Sequence, residues 1–272
     1  MITSKKAWRN ARRTYLTHFG ALRRYVVWSR HRGVTEKDVF LASYPKSGNT
    51  WLKFLLCHLL AGEEIDFDRS DMLCPPIGFH EQGRALLPEG GRLIKTHEAF
   101  RPEYKKSVYI VRDGRDVAVS YYFHCLRDGS FEGEFADFLP LLLAGQIDGY
   151  GTWKQNVLSW LDSPAAPNGG VCIIRYEDCH TCPEETMEKV TGFLGIPASS
   201  ERIKQALEAN TAQKMREKEG TAKDNGQKPR ADIPFVRSAK TGDWRNTFTA
   251  DQHALFLKEA GDVLQRMGYL LD

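Results

Sequence analysis

The chain has 272 residues, 42% of them apolar, and its 38 Lys and Arg against 35 Asp and Glu leave a net charge of +3. That length and apolar content suffice for one large domain with a substantial core, and so small a surplus of cations does not imply nucleic acid. No window approaches the roughly 20 apolar residues of a membrane span, and nothing resembles the apolar core of a secretory signal, so a soluble, cytoplasmic protein is expected.

Residues 1–35 carry nine Lys or Arg and no acid, with Trp8, Tyr15, Phe19, Leu22 and Val26 recurring at helical spacing. This reads as a basic amphipathic helix. It can dock its apolar stripe on the domain, lie weakly on an anionic membrane surface, or serve as an organelle transit peptide. Residues 36–272 are then one domain. Within it, short β-rich runs at 38–43, 92–96, 107–112 and 171–176 are apolar on both faces, as buried parallel strands are. Helical patterns lie at about 50–61, 115–127, 134–144, 150–161, 183–194, 199–209 and 250–267. The alternation predicts an α/β fold, a central parallel sheet flanked by helices. Residues 210–234 are almost devoid of apolar side chains and rich in charge, Gly and Pro, which predicts a mobile surface loop, either idle linker or active-site cover.

The six cysteines (Cys57, Cys74, Cys125, Cys172, Cys179 and Cys182) are scattered through a chain large enough to fold without staples, so reduced thiols are expected. Cys179 and Cys182 have metal-like spacing but no second pair, and no metal is expected.

Chemistry gathers at three places. The first is "SYPKSGNTW", 43–51, between a strand and a helix. There Gly48 allows a close backbone approach, while Lys46, Ser47, Asn49 and Thr50 surround one small volume with a cation and hydrogen-bonding groups. That describes a phosphate cradle. A Walker loop has its lysine after the second glycine and opposes it with an acid at a strand end. Here Lys46 precedes Gly48, Ser43 replaces the upstream glycine, and Arg112 comes ahead of Asp113. The second place is that Arg112, followed on the next helix by Ser120, a pair suited to a second phosphate. Arg112 can equally be a structural partner of Asp113 or Asp116. The third is "KTH", where Lys95 and His97 lie two apart at a strand end and point to the same side. A nearby lysine favours the neutral imidazole that a general base needs.

In order and separation, "SYPKSGNTW", "KTH", "YIVRDGRDVAVSYY", "RYED" and "RSAKTGDWRNTF" resemble the PAPS-dependent sulfotransferases of the cytosolic type, over about residues 38 to 270. The resemblance implies a P-loop-like fold that binds 3′-phosphoadenosine 5′-phosphosulfate (PAPS) and releases 3′-phosphoadenosine 5′-phosphate (PAP). It implies Lys46, Ser47, Gly48, Asn49 and Thr50 around the 5′ end, Trp51 stacked on adenine, Arg112 and Ser120 on the 3′-phosphate, and Tyr176 and Thr211 at the base. Arg237 carries over cleanly. The family usually reads Arg-Lys-Gly there, and this chain has Ser238 and Ala239, so Lys240 is the cation left to replace the missing charge. Gln213 stands where an aromatic often packs near the adenine. On this reading Lys46 stabilises the departing phosphate, His97 takes the acceptor's proton, Lys95 helps hold the sulfuryl oxygens, and no metal is needed.

For the acceptor, Phe79, His80, Phe123, His124, Phe131 and Tyr150 are the expected lining. A small-molecule alcohol, phenol or amine is the expected substrate. The acid-rich "GEEIDFDRSD", 62–71, is either a solvated loop or a sign of a cationic acceptor. Monomer and homodimer are both compatible with the sequence. The rival readings are a P-loop kinase using ATP and Mg²⁺ and a non-catalytic protein that binds 3′-phosphorylated nucleotides.

Overall fold

A computed structural model of the chain describes residues 20–221, 230 and 232–272. In chain order the elements are α1 (Gly20–Arg30), β1 (Val39–Ala42), α2 (Asn49–Ala61), α3 (Phe67–Leu73), β2 (Leu93–Thr96), β3 (Lys106–Val111), α4 (Gly114–Asp128), α5 (Phe135–Leu143) and α6 (Trp153–Leu161). There follow β4 (Val171–Arg175), α7 (Asp178–Thr181), α8 (Pro183–Leu194), α9 (Ser200–Ala209), α10 (Ala212–Thr221), a 3₁₀ turn at Asp243–Asn246 and α11 (Ala250–Arg266). The four strands form one parallel sheet in the order β2-β1-β3-β4.

The two-residue period of a strand builds two cores from one sheet. Phe40, Ala42, Ile94, Tyr109 and Val111 face the layer of α4, α5, α6 and α11. Val39, Leu41, Leu93, Val108 and Ile110 face the layer of α2, α8 and α9. Both sides of the strands are therefore apolar, as a parallel sheet with two covered faces requires. On the first face Trp160 lies nearly parallel to Tyr104 and Tyr109, with centroids 5.5 and 5.0 Å away.

The chain leaves β1 toward β2 on one side and later places β3 on the other. The reversal opens a crevice beyond the carboxyl ends of the strands, the usual ligand position in such sheets.

Helix α1 docks on the domain. Val27 is buried, Arg23 pairs with Glu98 at 2.9 Å, Arg30 donates to the Ile77 carbonyl at 2.8 Å, and the His31 ring bridges the Val27 carbonyl and the Tyr104 hydroxyl. Leu22 and Val26 are half-buried; Trp8, Tyr15 and Phe19 of the same expected stripe lie outside the described residues.

One expected loop contains a helix. Within 210–234, residues Ala212–Thr221 form α10, held by two inward side chains four residues apart, Met215 and Glu219. The Glu219 carboxylate accepts from Arg127 at 2.8 Å and from the backbone N–H groups of Phe235 and Val236 at 2.7 and 3.2 Å. An apolar pattern cannot reveal a helix whose main anchor is a buried carboxylate. Residues 222–229 and 231 of that segment lie outside the described residues.

Candidate active site

The cradle begins where β1 ends. Asn49 ties its loop down by donating to the Leu41 carbonyl at 3.1 Å and the Ser43 hydroxyl at 3.2 Å. Two residues of the loop are left-handed: Gly48 at φ 96° and, without a glycine's freedom, Lys46 at φ 68°. A non-glycine residue in that region costs about 1–2 kcal/mol, and such strain is characteristic of ligand-binding loops. Gly48 is required for a second reason, because a Cβ there would stand 2.4 Å from Cδ2 of Tyr176. The turn delivers the backbone to the N-terminus of α2, whose free N–H groups favour an anion.

Lys46, Lys95 and His97 border one cavity of about 710 Å³, together with Gly48, Asn49, Thr50, Trp51, Arg112, Ser120, Tyr176, Thr211, Arg237 and Ser238. Every nucleotide-binding position expected from sequence lies on that wall except Ser47 and Lys240. The Ser47 hydroxyl is buried without a partner among the described residues, as are Asn49 Oδ1, Arg112 Nε and Arg237 Nε. Buried polar atoms normally find partners, so these orphans fit a polar ligand in the cradle. Lys240 is exposed, and what it contributes is its carbonyl, which accepts from Arg112 at 2.9 Å.

Arg112 is aimed by the backbone. Its guanidinium also donates to the Lys46 carbonyl at 3.3 Å and lies over the Tyr176 ring, 4.4 Å from the centroid. Of the two acids that might have claimed it, one pairs with another arginine and the other is shared with backbone donors. Asp113 pairs with Arg115 at 2.8 Å. Asp116 stands 3.9 Å from Arg112 and accepts from the N–H groups of Gly242 and Trp244 at 2.7 and 2.9 Å. Arg237 rests over Phe123 with its charge 4.5 Å from the ring centroid and is paired with Asp243.

Burial and mutual repulsion set the charges. Burial, then the neighbouring Lys95 and Arg112 cations, lower the Lys46 pKa to about 7. Burial, then Lys53, lower Lys95 to about 8. Burial, then Lys95, lower His97 to about 3, so its imidazole is neutral throughout the physiological range. His97 Nδ1 lies 2.9 Å from the Ser43 carbonyl. A carbonyl only accepts, so Nδ1 carries the proton and Nε2 keeps the lone pair. Asn156 holds the backbone from behind by donating to the His97 carbonyl at 3.1 Å.

The expected acceptor lining divides. Tyr150 and His124 border the cavity, and Tyr150 packs edge-on against His97 with centroids 5.7 Å apart. Phe79, His80, Phe123 and Phe131 do not. Phe79 is exposed at the surface and His80 is buried, its Nδ1 accepting from the Gly78 N–H at 3.2 Å. Phe123 carries Arg237, and Phe131 joins an aromatic cluster with Tyr122 and Phe138. Nor do the acids of 62–71 reach the wall. Asp66 caps α3 by accepting from Arg69 N–H at 2.7 Å, Asp71 pairs with Lys53, and Glu63 pairs with Arg69 at 3.3 Å. Charge-run composition does not distinguish a helix cap from a ligand site.

Phe235 is the main residue that the sequence did not single out. Its ring lies 4.1 Å from Lys46 Nζ and edge-on to His124 at 5.9 Å, so it covers the cation of the cradle. Its position two residues before Arg237 is the only signal for it.

A family model described as the sulfotransferase domain matches residues 36–268. The chain belongs to the sulfotransferase family. Among curated relatives, sulfotransferase 1E1 of Cavia porcellus is 29% identical over 81% of each chain, and sulfotransferase 1A1 of Rattus norvegicus is 28% identical over 87% of this chain and 85% of its own. Mouse sulfotransferase SULT7A1, solved with PAP, is similar at 28% identity and a TM-score of 0.64, with 85% of each chain covered. A retinol dehydratase at 20% identity and a TM-score of 0.72 shares the fold. The parallel sheet is thus that of a sulfotransferase, and the kinase and non-catalytic readings give way to it.

Proposed function

We propose that this sulfotransferase moves a sulfuryl group from PAPS to a hydroxyl or amine of a small-molecule acceptor, with His97 as general base. The observation that carries the proposal is one cavity wall bearing a neutral imidazole with a free Nε2 lone pair beside the Lys46 and Lys95 ammonium groups. The similar mouse enzyme was solved with the desulfated nucleotide, and the unpartnered donors on Ser47, Arg112 and Arg237 suit an anion of that kind.

Lys46, Ser47, Gly48, Asn49 and Thr50 hold the 5′ end, Arg112, Ser120, Arg237 and Ser238 the 3′-phosphate, and Trp51, Tyr176 and Thr211 the base. When bound, PAPS supplies an electrophilic sulfur and a phosphate leaving group. Lys46 places its charge where the leaving oxygen becomes more negative, so its stabilisation is greater in the transition state than in the ground state. Lys95 adds a second cation on the sulfuryl side. Nε2 of His97 receives the acceptor's proton, and Nδ1–H on Ser43 keeps the ring oriented while it does so. Anion binding compensates the two lysines, which removes part of their repulsion of an imidazolium and raises the basicity of His97.

The acceptor enters at the end lined by Tyr150, His124 and Tyr121. That wall is aromatic and carries no carboxylate, which favours a neutral phenol or alcohol over the cationic acceptor that the acid run suggested.

Incubation with labelled PAPS and a pooled metabolite extract, read by mass spectrometry, should reveal products that gain a sulfuryl group. His97→Ala should turn over at least about a hundredfold more slowly, since general-base help is worth ~10²–10⁴, and still bind PAP. EDTA should leave the rate unchanged. Near-normal turnover by the variant removes His97 from the mechanism, and loss of activity with EDTA refutes charge neutralisation by lysines alone.

A further inference from the structure

One ring on the cavity wall has no part in that chemistry. His180 follows β4 on α7 and borders the cavity with Trp51 and Tyr176. Its ring lies 11° from parallel to Trp51 with centroids 6.3 Å apart, and edge-on to Tyr176 at 4.7 Å. It is exposed, and among the described residues no hydrogen bond holds either of its nitrogens. Trp51, by contrast, is fixed, because its Nε1 donates to the Asn210 carbonyl at 2.8 Å. Burial, then Arg112, lower the His180 pKa, so the ring is neutral and adds no charge beside the guanidinium.

Position 213 offers no ring to this region. Gln213 is exposed on α10, where its amide donates to Glu217 at 3.1 Å, and it does not border the cavity. A purine laid on the fixed Trp51 therefore has the nearly parallel His180 ring on the same wall.

We propose that His180 is a second stacking surface for the purine of the donor, beside Trp51, at a site where residue 213 supplies none; this rests on the donor reading above. A base held between two parallel rings needs about 7 Å between them, twice an aromatic carbon contact of ~3.5 Å. The 6.3 Å centroid separation is the largest plane-to-plane gap the present pair can have. The base enters by turning the His180 ring, which no hydrogen bond restrains among the described residues. His180 thereby acts through stacking, which tolerates any flat ring at that position, so phenylalanine should replace it and alanine should not.

Calorimetry with PAP on the full chain tests this. Loss of one base–aromatic stack predicts about five- to a hundredfold weaker binding by His180→Ala. His180→Phe should bind within about twofold of the unaltered protein and Gln213→Ala identically to it, all with unchanged melting temperatures because both positions are exposed. Equal affinity for His180→Ala and the unaltered protein overturns the assignment. So does a His180→Phe protein about tenfold weaker than the unaltered one, which remains decisive if the alanine variant misfolds. An unaltered protein that does not bind PAP refutes the donor reading and this assignment with it, whereas PAP binding indifferent to His180 sinks only the assignment.

Discussion

Replacing Gly48 by alanine puts a methyl carbon 2.4 and 2.8 Å from Cδ2 and Cε2 of Tyr176 and 3.3 Å from Cδ1 of Ile110, at a residue whose φ is 96°. The left-handed conformation alone costs an L-residue about 1–2 kcal/mol. Moving the ring adds about 1–3 kcal/mol, the usual range for overpacking, because Tyr176 is buried and has Arg112 stacked on it. The natural control is Gly62, also left-handed at φ 72° with nothing within 4 Å of a built Cβ. Gly62→Ala carries the backbone cost without the collision, and the gain from a stiffer unfolded chain is common to both. Thermal melts should show Gly48→Ala below Gly62→Ala by about 1–3 kcal/mol, or roughly 2–12 °C at the 2–4 °C per kcal/mol of a domain of similar size. Calorimetry should show PAP binding lost or strongly weakened only in the former. Equal melting temperatures with intact PAP binding would refute the claim that Gly48 is dictated by Tyr176.

Proton linkage gives a second test. Burial and neighbouring cations hold the free Lys46 and Lys95 down at about 7 and about 8, and a bound phosphate raises both by favouring the ammonium, so at pH 8 PAP binding should take up roughly 1.4 protons. Affinity should fall as pH rises above 7, by up to about tenfold per unit for each lysine. Binding heats at pH 8 that are the same in buffers of different ionisation enthalpy would contradict this. Glu219→Ala removes the carboxylate that joins Arg127 to the Phe235 and Val236 backbone, so urea unfolding should show a loss of about 3–5 kcal/mol, with weaker PAP binding because the same segment carries Arg237. A loss under about 1 kcal/mol would show that this buried group does not hold the segment.

Secondary structure was readable wherever one physical period dominated. The doubly apolar runs became β1 to β4, and the helical patterns became α2, α4 to α6, α8, α9 and α11 with ends shifted by up to about three residues, the usual uncertainty of boundaries. Helix α10 escaped because its inward face holds one methionine and one carboxylate. Helix α3 escaped because its acids looked like a solvated loop, although one of them caps it.

The sequence by itself determined that the sheet is parallel and that Lys46, Lys95, His97 and Arg112 stand at the ends of its strands, since each motif is a strand end and the few residues after it. Only the tertiary structure decided that Phe235 covers Lys46, that His180 lies beside Trp51, and that Phe79, His80, Phe123 and Phe131 belong elsewhere. These are contacts between segments far apart in the chain, such as Trp51 with the Asn210 carbonyl and Arg112 with the Lys240 carbonyl. Local propensity and spacing act over a few residues, whereas which distant side chains meet is settled by how two layers pack on one sheet.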